Sequence, residues 1–190
     1  MLDQDNKLYI SEGQSVWVFQ VDCVVLNDEG SLLDALSIAC RQSLRDLHMP
    51  KFEVLESNEV GPSGPDVSID EDPNQFWKLD CSSFPIYVSV GVVDVCATSA
   101  GCGPCCWVFD LSKREEEELD STCLSFGVTR VGTIKKVMSR GSTNGMHYEA
   151  MENVIEAATR AAKVLLTSLD NLKPVSGYTA DGGEYFHIGR

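Results

Sequence analysis

The residues with the most recognisable chemistry are Cys102-Gly103-Pro104-Cys105, followed at once by Cys106, inside the stretch SAGCGPCCWVFDL. A CxxC pair does thiol-disulfide exchange when its first cysteine opens a helix, because the helix dipole and free N–H groups there lower the thiol pKa. Here small residues precede the motif and the strand-like CWVFDL follows it, so the spacing predicts a hairpin tip. Zinc is the other chemistry that Cys102, Cys105 and Cys106 offer, but a structural site wants a fourth ligand and usually a second spaced pair. His48, His147 and His187 fall into no metal-binding or nucleophile spacing. The carboxylate run REEEELD, 114–120, has the charge to hold a cation, although such runs are more often solvated faces or the first turn of a helix.

The elements that must position these groups follow from periodicity. KLYIS (7–11) and SVWVFQVDCVVLN (15–27) flank Glu12-Gly13-Gln14, the pattern of a hairpin. Both faces of 15–27 are largely apolar, which predicts a central strand covered on both sides. NDEGSLLDALSIACRQSLRDLHMP predicts a helix capped by Ser31 and ended by Pro50, with Leu32, Ala35, Leu36, Ala39, Cys40 and Leu44 on its apolar face. KFEVLE (51–56) reads as a short strand. The Pro-, Gly- and acid-rich segment 57–75 reads as a loop between two lobes. Strands are expected at 76–80, 86–96, 106–111, 121–129 and 133–139. A long amphipathic helix over 145–172 carries Met151, Val154, Ile155, Ala158, Ala161, Ala162, Leu165, Leu166 and Leu169 on its apolar stripe. The Gly-rich remainder, 173–190, shows no periodicity and predicts a disordered tail.

Composition bounds the function. In 190 residues, 43% are hydrophobic, enough for a packed core. No run approaches the roughly 20 apolar residues of a membrane helix, and MLDQDNKLYIS lacks the pattern of a signal peptide. A soluble, intracellular protein is expected, with most of its eight cysteines reduced and structural. A net charge of −14 opposes direct nucleic-acid binding, which depends on Lys and Arg neutralising phosphates.

The order of elements, joined to the wording of VDCVVLNDEGSLLDALSIA and DLSKREEEELDSTCLSFGV, resembles the RNase PH family over about Lys7 to Leu172. The resemblance implies an α/β (α+β) RNase PH-like fold, also described as ribosomal protein S5 domain 2-like, with mixed sheets and packed helices. Its first lobe would be represented by the C-terminal remnant 7–56, its second by 76–172. Family members of this type carry a further N-terminal region of about a hundred residues, the size of a small domain, and its absence here makes a truncated first lobe the expectation.

Active family members shorten RNA from its 3′ end with phosphate as nucleophile, which needs a cationic cradle and a carboxylate pair. The cradle matches Gly30-Ser31-Leu32-Leu33 here, and Leu33 occupies the position of the cradle arginine, where it cannot donate to phosphate. The carboxylate pair matches Asp110 and Glu116. This erosion implies a non-catalytic ring subunit of the RNA exosome, with no cofactor. Its partners would be other RNase PH-like subunits and cap proteins, with RNA reached through the assembled ring. The implied work is 3′ maturation of ribosomal RNA and RNA surveillance and turnover, in nucleus, nucleolus and cytoplasm. Arg130, Lys135, Lys136 and Arg140 are candidate RNA or partner contacts. The alternatives are an active phosphate-dependent exoribonuclease subunit, or a thiol-redox or zinc protein centred on Cys102 to Cys106.

Overall fold

The computed structural model describes residues 8–11, 15–55, 67–70, 72, 74–93, 106–118, 123–141 and 148–172. They fall into two compact units. One comprises Met1–Gln20, Arg45–Asp80 and Leu172–Arg190, and the other Val21–Leu44 and Cys81–Asn171.

The second unit holds the sheet on which the larger core is built. Its strands are β7 (Ile86–Val93), β8 (Cys106–Phe109), β9 (Cys123–Val128) and β10 (Ile134–Arg140). They lie in the order β10-β9-β7-β8, antiparallel throughout. Ile86, Val88, Val90 and Val92 alternate along β7, as one face of a pleated strand requires. With Leu124, Phe126 and Val128 of β9 they form a buried apolar surface. Onto it packs helix α3 (Tyr148–Asn171), which presents Val154, Ala158, Ala162 and Leu166, four residues apart at each step and all fully buried. Alanines in the middle of that stripe let helix and sheet approach closely. The expected long helix is therefore present, and only Leu165 of its predicted stripe turns to solvent.

Helix α1 (Leu32–Asp46) also belongs to this unit up to Leu44, so the units cut across the expected lobes 7–56 and 76–172. Its buried residues are Ser37, Arg41 and Leu44, while Ala35 and Ala39 are exposed. The predicted apolar face was rotated, for a physical reason. β8 pairs with β7 only over Val90–Val93, and α1 serves the amides beyond that point: Tyr87 N–H donates to Ser37 Oγ at 2.8 Å and Ser89 N–H to Asp34 Oδ2 at 2.6 Å. Buried backbone donors require partners, so this helix turns polar side chains to the sheet. The helix also stops at Asp46 rather than running to Pro50, because His48–Pro50 is a strand.

Among the described residues the first unit contains three two-stranded pairs: β1 (Tyr9–Ser11) with β2 (Ser15–Val16), β3 (His48–Pro50) with β6 (Phe76–Lys78), and β4 (Phe52–Val54) with β5 (Val67–Ile69). Two expectations are corrected here. The 57–75 segment is not loop throughout, since Val67–Ile69 pairs with Phe52–Val54. The 15–27 stretch is not a covered central strand: pairing ends at Val16 among the described residues, and Val24 and Leu26 are 81% and 94% exposed. A strand is buried on both faces only where layers lie over both, and apolar periodicity cannot supply those layers. The expected tail, 173–190, and Cys96, Cys102 and Cys105 lie outside the described residues. The strands flanking the cysteine motif do pair antiparallel, with Val93 opposite Cys106.

Candidate functional site

The turn before α1 and the turn before α2 (Lys113–Glu118) are clamped together in the second unit. Gly30 has φ 109° and Ser31 φ 45°, both left-handed. A side chain at Gly30 would run into the Leu111 carbonyl oxygen and the Lys113 amide, so glycine is required on both counts. Lys113 N–H donates to the Glu29 carbonyl at 2.8 Å, and Lys113 Nζ reaches Asp28 Oδ2 at 3.0 Å. The Ser31 carbonyl opens α1 by accepting from Asp34 and Ala35. The expected side-chain cap is absent, because the Ser31 hydroxyl donates to the Leu111 carbonyl at 3.3 Å instead.

The Ser31 amide donates to Glu116 Oε1 at 2.9 Å, across 85 residues of chain. The other oxygen of Glu116 lies 3.6 Å from the Arg140 guanidinium. A backbone N–H at the entrance of a helix is a natural anion donor, and here a carboxylate of the same chain occupies it. Leu33 is half-buried two residues further on and offers no charge. Asp110 ends β8 in a left-handed conformation, φ 54°, and is exposed. The chain thus brings Gly30, Ser31, Asp110 and Glu116 into one place.

Asp34 completes the cluster and carries its buried polar network. Its two oxygens accept from Ser89 N–H and from Ser89 Oγ, both at 2.6 Å, and Ser89 Oγ lies 2.8 Å from Ser125 Oγ. Burial pushes the Asp34 carboxyl above its ordinary value, with Asp110 and Glu116 adding to the rise and the Ser89 bonds opposing it. Burial likewise raises the Cys123 thiol, against the pull of Arg140 opposite it on β10. Asp28, by contrast, is held low by Lys113 and the Gly30 amide. Asp34 stands in the first turn of α1, where a carboxylate suits the helix dipole, and nothing else in its local sequence marks it. Its wider signal was a run of polar residues at helical spacing, Asp34, Ser37 and Arg41, beside a single serine within the apolar run of β7, which Asp34 bonds.

The proposed cationic strip separates into two kinds. Arg140 lies against Glu116, and Arg130 against Asp170 Oδ2 at 3.1 Å. Lys135 and Lys136 are exposed on β10, where the register shifts between Ile134 and Lys136. REEEELD contributes most of α2. Among the described residues no group of three or more His, Cys, Asp or Glu side chains has the arrangement of a metal site.

Residues 83–161 match the model of the 3′ exoribonuclease family, domain 2. The protein named "Putative exosome complex exonuclease RRP42" in Dictyostelium discoideum is 27% identical over 173 residues, 90% of this chain and 49% of its own. The exosome complex component Rrp42 of Methanopyrus kandleri is 29% identical over 163 residues, 86% of this chain and 52% of its own. That of Thermoplasma acidophilum is 28% identical over 160 residues, 84% and 50% respectively. The chain spans about half the length of the curated relatives it matches. With the antiparallel sheet backed by α3 and the turn at Gly30–Ser31 near Asp110 and Glu116, these matches support an RNase PH-like chain similar to the Rrp42 proteins.

Proposed function

We propose that this chain is a non-catalytic, structural component of an RNA exosome ring, acting in 3′-to-5′ RNA processing and turnover. The observation that carries the reading is Glu116 seated on the Ser31 amide, with Leu33 where the family's phosphate cradle has an arginine. Phosphate entering there would have to displace a carboxylate already bonded, against the further negative charge of Asp34 and Asp110, with no arginine from the cradle to compensate. The names of the relatives support the assembly side of the proposal. Partners would be other RNase PH-like subunits and cap proteins, with RNA reached only through the assembled ring. No cofactor enters, and nucleus, nucleolus and cytoplasm are the proposed compartments.

The test is affinity purification of the tagged chain from its own cells, with the co-purifying proteins identified by mass spectrometry. The same material is then assayed for phosphate-dependent shortening of RNA. Recovery of RNase PH-like and cap subunits, with any shortening unchanged by Asp110→Ala, is the expected result. Shortening that needs phosphate and disappears with Asp110→Ala would replace this reading by the active exoribonuclease. A chain recovered without exosome subunits would remove the ring assignment.

A further inference from the structure

Cys23 and Cys40 stand 3.5 Å apart, sulfur to sulfur, both as free thiols. Cys23 is exposed on the extended segment leading to α1, and Cys40 is half-buried on α1 itself. Seventeen residues separate them, so the meeting belongs to the fold rather than to local sequence. Neither thiol takes part in the cluster around Glu116. A disulfide needs the sulfurs at about 2.05 Å, so closure requires the two sulfurs to approach from 3.5 Å.

We propose that Cys23 and Cys40 form a reversible oxidation site, closing to a disulfide under hydrogen peroxide or an organic hydroperoxide. The Cys23 thiolate attacks the peroxide, the O–O bond breaks, and Cys23 becomes a sulfenic acid while hydroxide or alkoxide leaves and takes up the thiol proton. Cys40 sulfur then attacks the sulfenic sulfur. The S–S bond forms as the S–O bond breaks, and the Cys40 proton leaves with the hydroxyl as water. Two thiols are oxidised and one peroxide is reduced, to two waters or to water and an alcohol.

The order of the two steps follows from surroundings. Desolvation, first, and the neighbouring Cys23 sulfur raise the pKa of the Cys40 thiol, which suits it to resolve rather than to initiate. The bridge would close a loop containing exposed Val24 and Leu26 and the Asp28–Ser31 turn, which Lys113 and Glu116 hold at its far end. Oxidation would thus tie the extended segment to α1 at Cys23, in addition to its hold on α2 through Asp28 and Ser31.

The experiment treats the full chain with one equivalent of hydrogen peroxide, blocks remaining thiols with iodoacetamide, and digests with a glutamate-specific protease without reductant. Cleavage after Glu29 separates the two cysteines, whereas trypsin leaves them in one peptide, since no Lys or Arg lies between 8 and 40. Peptides 13–29 and 30–53 should appear joined and two hydrogens light, and dithiothreitol should return both separately. Cys23→Ser should leave Cys40 alkylated, and Cys40→Ser should leave a Cys23 sulfenic acid that dimedone traps. Wild-type mapping decides the matter even if a variant folds poorly. Alkylation of both Cys23 and Cys40 after peroxide, or bridging of either to another cysteine, would overturn the proposal.

Discussion

Asp34 ties the first turn of α1 to the margin of the main sheet, beside the clustered turns. Its carboxylate satisfies the Ser89 amide and hydroxyl at the margin of the main sheet, yet burial and the charges of Asp110 and Glu116 oppose its ionisation. A carboxyl whose folded-state pKa is raised contributes stability fully below its unfolded value, here 3.8, and loses that contribution as pH rises through the folded value. Asp34→Asn keeps an acceptor for the Ser89 amide and can donate to the Ser89 hydroxyl. The wild type should therefore lose more stability than Asp34→Asn between about pH 4 and neutrality, measured by urea unfolding across that range. Equal slopes for the two proteins would deny Asp34 this part. Asp34→Ala leaves the Ser89 amide without its partner and should cost about 2 kcal/mol at neutral pH. Gly30 is constrained by shape rather than charge: with φ 109° and the Leu111 carbonyl in the way, Gly30→Ala should cost about 3 kcal/mol in the same measurement.

At the scale of elements, α1 shows how a helix can be held by polar groups. Arg41 is 2% exposed and bonds Asp170 of α3 at 2.8 Å, while Gln42 donates to the Leu169 carbonyl. A buried ion pair returns little beyond its desolvation cost, but removing Arg41 empties the buried site of its guanidinium and leaves Asp170 to the more exposed Arg130. Arg41→Ala should therefore lose about 3 kcal/mol, whereas the double change Arg41→Met with Asp170→Leu should stay within about 1 kcal/mol of wild type, as read by urea unfolding. A double variant as weak as the single one would place the stabilisation in the ion pair itself. This helix also marks where the sequence was legible. The strands of the main sheet and α3 were readable because an apolar period of two or of 3.6 has one structural meaning when a matching face exists nearby. The start and existence of α1 were readable for the same reason, but its buried face was not, because that face answers to sheet amides outside the pattern. The three-residue strands at His48–Pro50 and Val67–Ile69 are too short to show a period, and the apolar stretch 17–26 shows one without the covering layers. In the site, Gly30, Ser31, Asp110 and Glu116 were found through family wording, while the Glu116 to Ser31 bond arises from two turns brought together across 85 residues.

For the whole molecule, charge sets the terms of association. The chain has 15 Lys and Arg against 29 Asp and Glu, and Arg41, Lys113, Arg130, Arg140 and Arg160 already lie against carboxylates within 4.0 Å. Lys135 and Lys136 remain as exposed cations on β10, in a field that is otherwise strongly negative. Such a surface repels a phosphate backbone and draws basic protein surfaces, and both effects weaken with ionic strength. The isolated chain should fail to shift single-stranded RNA at micromolar concentration in about 150 mM salt. Its association with a basic ring partner should slow by about tenfold between about 50 and about 500 mM salt, with dissociation changing much less. Surface plasmon resonance over a salt series separates the two rates. Lys135→Glu with Lys136→Glu distinguishes the two roles open to β10. If those lysines meet a protein, the paired change slows or weakens association with that partner and leaves the isolated chain's inability to hold RNA as it was. If instead the wild-type chain binds RNA, with affinity that falls as salt rises and vanishes in the double variant, the lysines contact RNA directly and the chain does not reach RNA only through an assembled ring.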